Sequence, residues 1–209
     1  LSLMTRVALG QLISLKTIPV ATGSQFLIFP SQNMSMGGVN IGLADSLLDQ
    51  WINPAHGTSV NGMQVSSSPT YYRIGNGYGS ARSMPLAVSW NKGIWFGGVS
   101  FTLQAMNTAQ SQTWWNSGIR TLSQNMAENR YLAAYLGRQL AGMSVGVSGY
   151  WASLSALDGV DLLYSNSQSI DQEGDMFDVR VGVRRPLHNG GVAELLYLRN
   201  ELDMKHEVT

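Results

Sequence analysis

MFDVRVGVRR, Met176–Arg185, puts Phe177, Val179, Val181 and Val183 on one face of an extended chain. Asp178, Arg180, Gly182 and Arg184 fall on the other. Strict alternation with a period of two is the signature of a β-strand. The unusual feature is the contrast, because one face is wholly apolar and the other is small or charged. The same alternation recurs upstream. PLAVSW sets Leu86, Val88 and Trp90 against Ala87 and Ser89, and GVSFTLQ sets Val99, Phe101 and Leu103 against Ser100, Thr102 and Gln104. MSVGVSGYW sets Met143, Val145, Val147 and Trp151 against Ser144, Gly146, Ser148 and Tyr150. Turn chemistry separates the runs at Asn91-Lys92-Gly93, Ala141-Gly142 and His188-Asn189-Gly190-Gly191. Asn-Gly is a strong hairpin signal, so the run from Asp175 is expected to pair with GVAELLYLRNELDM, which starts at Gly191. Seven or eight strands are expected after residue 60.

Composition narrows what such strands belong to. The 209 residues carry 13 basic and 13 acidic side chains, and charged residues make up 12% of the chain. That is about half the ~25% of ordinary soluble domains. Mean hydropathy is nonetheless close to zero, at -0.03. Gly, at 23 residues, and neutral polar side chains have taken the place of charge. A transmembrane β-barrel, with one strand face to lipid and the other to a polar lumen, has this profile. A soluble all-β sandwich or barrel shares much of it. There is no cysteine, which rules out disulfides and thiolate metal sites. Zero net charge gives no support to nucleic-acid binding. The apolar run Val7–Leu15 is too short to span a membrane as a helix. With Arg6 before it, it reads as a degenerate signal sequence. The chain stops at Thr209 within an alternating run, which reads as a fragment at the C-terminus.

Two connections are expected to be long and polar, Asn107 to Glu128 and Asp158 to Asp175. They alternate with the short turns, as extracellular loops alternate with periplasmic turns. Tyr71, Tyr72, Tyr78, Trp90, Trp95, Trp114, Trp115, Tyr131, Tyr150, Trp151 and Tyr164 lie near expected strand ends, where an interfacial girdle would place them.

The segment ahead of the strands is different. It reads NMSMGGVNIGLADSLLDQWINPA, residues Asn33 to Ala55. Gly37-Gly38 allows backbone geometry closed to other residues. Asp45 or Ser46 is placed to cap a short helix with Leu47, Leu48, Trp51 and Ile52 on one face. Asn53-Pro54 ends it, because the residue before a proline is pushed out of the helical region. The chain thus divides into a leader or extension (1–30), a compact segment (31–60) and β-strands (61–209).

This segment resembles the N-terminal motif of the outer-membrane transport protein superfamily. That superfamily holds the FadL-like long-chain fatty-acid transporters and the type IX secretion shuttle barrels. The matching residues are Met34, Met36, Gly37, Gly38, Leu43, Ala44, Asp45, Trp51, Asn53, Pro54 and Ala55. Ser35 stands where Gly is common, Asp45 is single where two acids are common, and Ile52 separates the Trp from the Asn. The match covers about a tenth of the chain. The resemblance implies an antiparallel transmembrane barrel of about fourteen strands when complete. It also implies a luminal hatch formed by the N-terminal segment and passive passage of hydrophobic molecules past it. Met36, Gly37, Gly38, Asp45, Leu47, Leu48, Trp51, Asn53 and Pro54 are then the hatch and gating residues.

No catalytic constellation is evident. His56, His188 and His206 show no metal-ligand spacing and read as solvated. There is no Gly-x-Ser-x-Gly elbow. Gly75–Ser80 lacks the Lys-Ser/Thr of a phosphate loop. Asp158, Asp161, Asp171, Glu173 and Asp175 fit no ion loop and read as a solvated connection. No catalytic residue, metal or cofactor is expected. An Arg at mid-depth on a lipid face costs about 2–4 kcal/mol, so Asp178, Arg180 and Arg184 are assigned to the lumen. There they would brace the barrel, hold Asp45 or Asp49 of the hatch, or meet a solute carboxylate.

The expected function is passive uptake of hydrophobic or amphipathic solutes through a hatch-gated barrel in a bacterial outer membrane. Its expected partners are membrane lipid and a hydrophobic small molecule. A non-transporting scaffold or secretion-associated barrel is the alternative, distinguished by a filled polar lumen in place of an apolar pocket. A soluble all-β binding domain is the third reading, and it requires Val99, Phe101 and Leu103 to be buried.

Overall fold

The computed structural model describes residues 28–33, 44–74, 79–109, 124–155, 170–188 and 190–208. Eight strands form one antiparallel sheet: β1 (Met63–Ser67), β2 (Thr70–Ile74), β3 (Gly79–Lys92), β4 (Trp95–Ala109), β5 (Gln124–Leu140), β6 (Met143–Leu154), β7 (Ile170–Pro186) and β8 (Val192–Val208). From β3 onward each strand pairs with the next in sequence. β1 and β2 both pair with β3, β1 along Leu86–Trp90 and β2 along Gly79–Ser83. They therefore act as one edge strand interrupted at Ser68-Pro69, where proline cannot donate to a ladder. The sheet is open among the described residues, with β1/β2 at one edge and β8 at the other.

Tight turns join β3 to β4, β5 to β6 and β7 to β8, all at one end of the sheet. Gly93, Ala141 and Gly142 take positive φ in the two-residue turns, as such hairpins require, and Gly190 does so in the five-residue turn between β7 and β8. The expected β7–β8 hairpin pairs Ile170–Pro186 with Val192–Val208. The connections at the opposite end are shorter than expected. β4 continues to Ala109, β5 starts at Gln124 and β7 starts at Ile170. Glu173 and Asp175 therefore lie on a strand and not in a loop, while Asp158 and Asp161 fall outside the described residues.

The alternation is realised with its apolar face outward. Val99, Phe101 and Leu103 are 46%, 44% and 45% exposed. Met84, Leu86, Leu132, Leu136, Val147, Trp151, Phe177 and Val181 are exposed on the same side. Ser83, Ser89, Ser100, Thr102, Gln104, Asn129, Ser144, Ser148, Asp178 and Arg180 are buried on the other. Trp90 and Trp95 stand outward near the tight turns, with the Arg138 guanidinium 5.2 Å from the Trp95 ring. Tyr131 and Tyr150 do not join such a girdle. Both are buried on the inner face and stack at 6.1 Å. Trp114, Trp115, Tyr78 and Tyr164 fall outside the described residues.

One layer covers the inner face. A single-turn helix α1 (Asp49–Ile52) leads into a 3-10 helix (Pro54–Ser59). The 3-10 helix touches β3, β4, β5, β6 and β7. Only a sheet curled around it brings five strands to so short an element. The expected helix is thus a single turn, and Trp51 and Ile52, as successive residues, stand about 100° apart around its axis. Trp51 is buried, whereas Ile52 is 43% exposed.

Candidate functional site

The site is the seat that the concave face offers to residues 28–33 and 44–60. Its floor comes from register. Phe96, Gly137, Gly146 and Gly182 lie opposite one another across β4, β5, β6 and β7. The three glycines leave a trough with no side chains, and the incoming segment fills it. A Cβ on Gly146 would stand 2.7 Å from the Pro54 carbonyl carbon and oxygen. One on Gly182 would collide with the Asn53 side chain, and one on Gly137 with the Phe96 ring. Asn53 turns its Oδ1 to accept the Ala55 N–H at 3.1 Å, which caps the 3-10 helix with Pro54 in its first turn.

Apolar packing holds the centre. The Trp51 ring stacks on Phe29 at 5.4 Å, 3° from parallel, and meets Tyr135 edge-on at 4.9 Å. Phe29 in turn tilts against Tyr150 at 6.0 Å. Aromatic pairs of this geometry contribute roughly 0.5–1.5 kcal/mol each beyond their burial. Leu48 is buried with them, and Leu47 is half-buried at the margin.

Polar contacts fix the ends. Asp45 is fully buried and its carboxylate gathers a knot of donors. The Ser31 hydroxyl donates at 2.6 Å, and the N–H groups of Gln32, Asn33, Leu47 and Leu48 donate at 3.0 to 3.3 Å. Burial by itself would raise its pKa. The Ser31 hydroxyl and the backbone donors outweigh that and hold the carboxyl below its ordinary value of 3.8. Asp45 thus bonds the turn that leads into α1, whose own N-cap, Leu48, makes no side-chain cap bond, and it ties two stretches of the segment together. The Thr102 hydroxyl donates to the Ile28 carbonyl. At the turn end the Asn91 amide donates to the carbonyls of Thr58 and Val60 at 3.0 and 3.1 Å.

Asp178 and Arg180 are buried on β7 and pair through two hydrogen bonds of 2.9 and 3.0 Å. The remaining guanidinium nitrogen of Arg180 donates to the carbonyls of Trp51 and Ile52 at 3.0 and 3.2 Å. Asp178 and Arg180 lie on the buried face, as assigned, and of the three roles expected the internal ion pairing is present while a hold on a carboxylate of the segment is not. Arg180 grips the carbonyl end of α1, where helix partial charge is negative, and reaches neither Asp45 nor Asp49. Arg184 pairs with Glu194 of β8 at 3.2 Å. Glu194 also receives His56 at 2.9 Å and the Asn53 amide at 3.4 Å. His56 is therefore a strap between segment and sheet and is not left to solvent.

Met36, Gly37 and Gly38 lie outside the described residues. Asp45, Leu48, Trp51, Asn53 and Pro54 come together in the seat, and Asp178 and Arg180 meet them from below. Phe29, Glu194, His56 and the glycine row were missed. Gly146 and Gly182 had a legible signal, each occupying an inward position in its strand's alternation. Their alignment required the register. Among the described residues no group of three metal-ligating side chains forms, and no described helix is long and apolar enough to cross a membrane. The arrangement binds and positions a segment of chain. Comparison with protein-family models, with curated proteins and with solved structures finds no match to this chain.

Proposed function

We propose that these strands belong to a β-barrel of a bacterial outer membrane and that residues 28–33 and 44–60 belong to its luminal plug, gating passive passage of hydrophobic or amphipathic solutes. The observation that carries this reading is the inverted sheet, whose apolar face is exposed while its polar face is buried. Along β4 the apolar outer face runs from Leu103 to Trp95, about 27 Å at ~3.4 Å per residue. At a strand tilt of ~40° that gives roughly 20 Å of depth, near the ~25 Å apolar band of membrane barrels. The exposure of Val99, Phe101 and Leu103 weighs against a soluble all-β domain, which would bury them. The Met-Gly-Gly, Ala-Asp and Asn-Pro-Ala resemblance supports the same direction. Its Asp45, Trp51, Asn53 and Pro54 are the residues that hold the plug in its seat.

The test is membrane partition and heat-modifiable gel migration of the full-length protein. A species extracted only by detergent, whose mobility shifts on boiling, is expected. A protein that stays in solution without detergent overturns the reading. One observation favours a non-transporting scaffold as the second reading: Phe29 and Trp51 of the plug pack on Tyr135 and Tyr150 of the sheet and fill the space between the two. Uptake of a labelled apolar solute into proteoliposomes separates the two. Transport requires uptake above that of empty vesicles, and a scaffold gives none.

A further inference from the structure

Where β1 breaks into β2, the outer face carries a groove of about 450 Å³ with Pro69, Tyr71, Met84 and Leu103 among its walls and Arg82 at its margin. Tyr71, Met84 and Leu103 are exposed and form its apolar floor. Arg82 belongs to its lining and Arg73 stands beside Arg82. Tyr71 lies opposite Arg82, and Arg73 opposite Ser80, so Arg73 and Arg82 are diagonal neighbours on the outward face. Both are exposed, and neither has an ion-pair partner among the described residues. Like charges so placed on neighbouring strands repel. Glu128 is also in the groove's lining and lies 3.7 Å from Arg130, which is exposed on the same face opposite Leu103. The groove therefore combines an apolar slot with a loop-side rim on which three arginines, Arg73, Arg82 and Arg130, outnumber one carboxylate.

We propose that this groove binds a membrane lipid whose phosphate headgroup carries net negative charge, one acyl chain lying along Tyr71, Met84 and Leu103 and the phosphate bridging Arg73 and Arg82. The proposal rests on the membrane reading above. It commits to a phosphate lipid and not a transported carboxylate amphiphile because two adjacent guanidinium groups match the charge and oxygen count of a phosphate. The slot also opens on the lipid-facing side of the sheet, away from the plug.

The experiment titrates the delipidated full-length protein in neutral detergent with dioctanoyl phosphatidic acid, dioctanoyl phosphatidylcholine, decanoate and inorganic phosphate. Phosphatidic acid is expected to bind roughly tenfold or more tighter than phosphatidylcholine, the scale of one charge-assisted contact. Arg73→Gln with Arg82→Gln is expected to abolish that preference. Met84→Trp, which fills the slot and leaves the charge intact, is expected to weaken phosphatidic acid and phosphatidylcholine alike. Equal binding of phosphatidic acid and phosphatidylcholine overturns the proposal, as does a preference that survives the double substitution. Inorganic phosphate binding as tightly as phosphatidic acid overturns the acyl-chain part, and decanoate doing so assigns the groove to a solute. Heat-modifiable migration is recorded for every variant. Its absence from the unmodified protein sinks the membrane reading, whereas its presence without lipid preference sinks this inference alone.

Discussion

At the scale of single residues, the plug is held by buried charges whose partners are fixed. Arg180 neutralises Asp178 and grips the last carbonyls of α1 at the same time. Arg180→Met leaves the Asp178 carboxylate buried without a counter-charge, a loss of about 3–5 kcal/mol. Denaturant titration should read that loss, and Asp178→Asn combined with Arg180→Met should recover part of it. Asp45 responds to pH with a definite sign. Its carboxyl is held below 3.8 in the folded protein, so its contribution is complete above that value and is lost as pH falls through the lower, folded value. Trp51 fluorescence should stay constant from neutral pH down to the ordinary carboxylate range and change only below it. In Asp45→Asn that acid-dependent step should disappear.

At the scale of elements, the seat depends on a trough that three strands share. Gly137, Gly146 and Gly182 are useful only because β5, β6 and β7 pair in the register that aligns them. Gly146→Ala drives a methyl group into the Pro54 backbone, and backbone cannot swing aside as a long side chain would. The plug should lift, while the strands, whose ladder bonds are untouched, remain paired. Gly149→Ala is the matched control, because a Cβ there meets nothing within 4 Å. The chain has no cysteine of its own, so a thiol placed by Val60→Cys, at a buried plug position, reports release directly. Maleimide labelling should be slow in that protein and in its Gly149→Ala derivative, and faster in its Gly146→Ala derivative. Equal rates in all three would show that the trough does not hold the plug.

At the scale of the whole molecule, the question is which solvent meets the outer face. Val99 is 46% exposed in the middle of the apolar band, midway between Leu103 and Trp95. In water, replacing such a residue with a charged one changes stability by about 0.5 kcal/mol or less. In a bilayer an Arg at mid-depth costs roughly 2–4 kcal/mol. Val99→Arg should therefore lower the stability of the protein folded in lipid vesicles by the larger amount. A variant as stable as its parent would place water, not lipid, against β4.

The strands were legible because their alternation is nearly unbroken. Phe177 through Arg184 fixes which residues share a face, and Asn-Gly fixes the hairpin that follows. Asp178 and Arg180 were assigned inward for a reason that needs only the cost of charge in lipid. The plug was legible through its punctuation, since Asp45 and Asn53-Pro54 act where local chemistry puts them. Local chemistry reaches only a few residues, and the rest lay beyond it. Ile52 does not share the buried face of Trp51, because successive helical residues stand about 100° apart around the axis and only Trp51 is turned to the sheet. Tyr131 and Tyr150 resembled interfacial aromatics, yet they stack inside, because the strand face that points inward is set by pairing. Phe29, His56 and Glu194 gave no sign of their roles, since Glu194 stands 138 residues from His56 and meets it only when β8 joins the sheet. The sequence by itself determined periodicity, turns and caps, which depend on neighbours along the chain. The tertiary structure decided the trough, the strap and the partner of Arg180, because each depends on the register between strands distant in sequence.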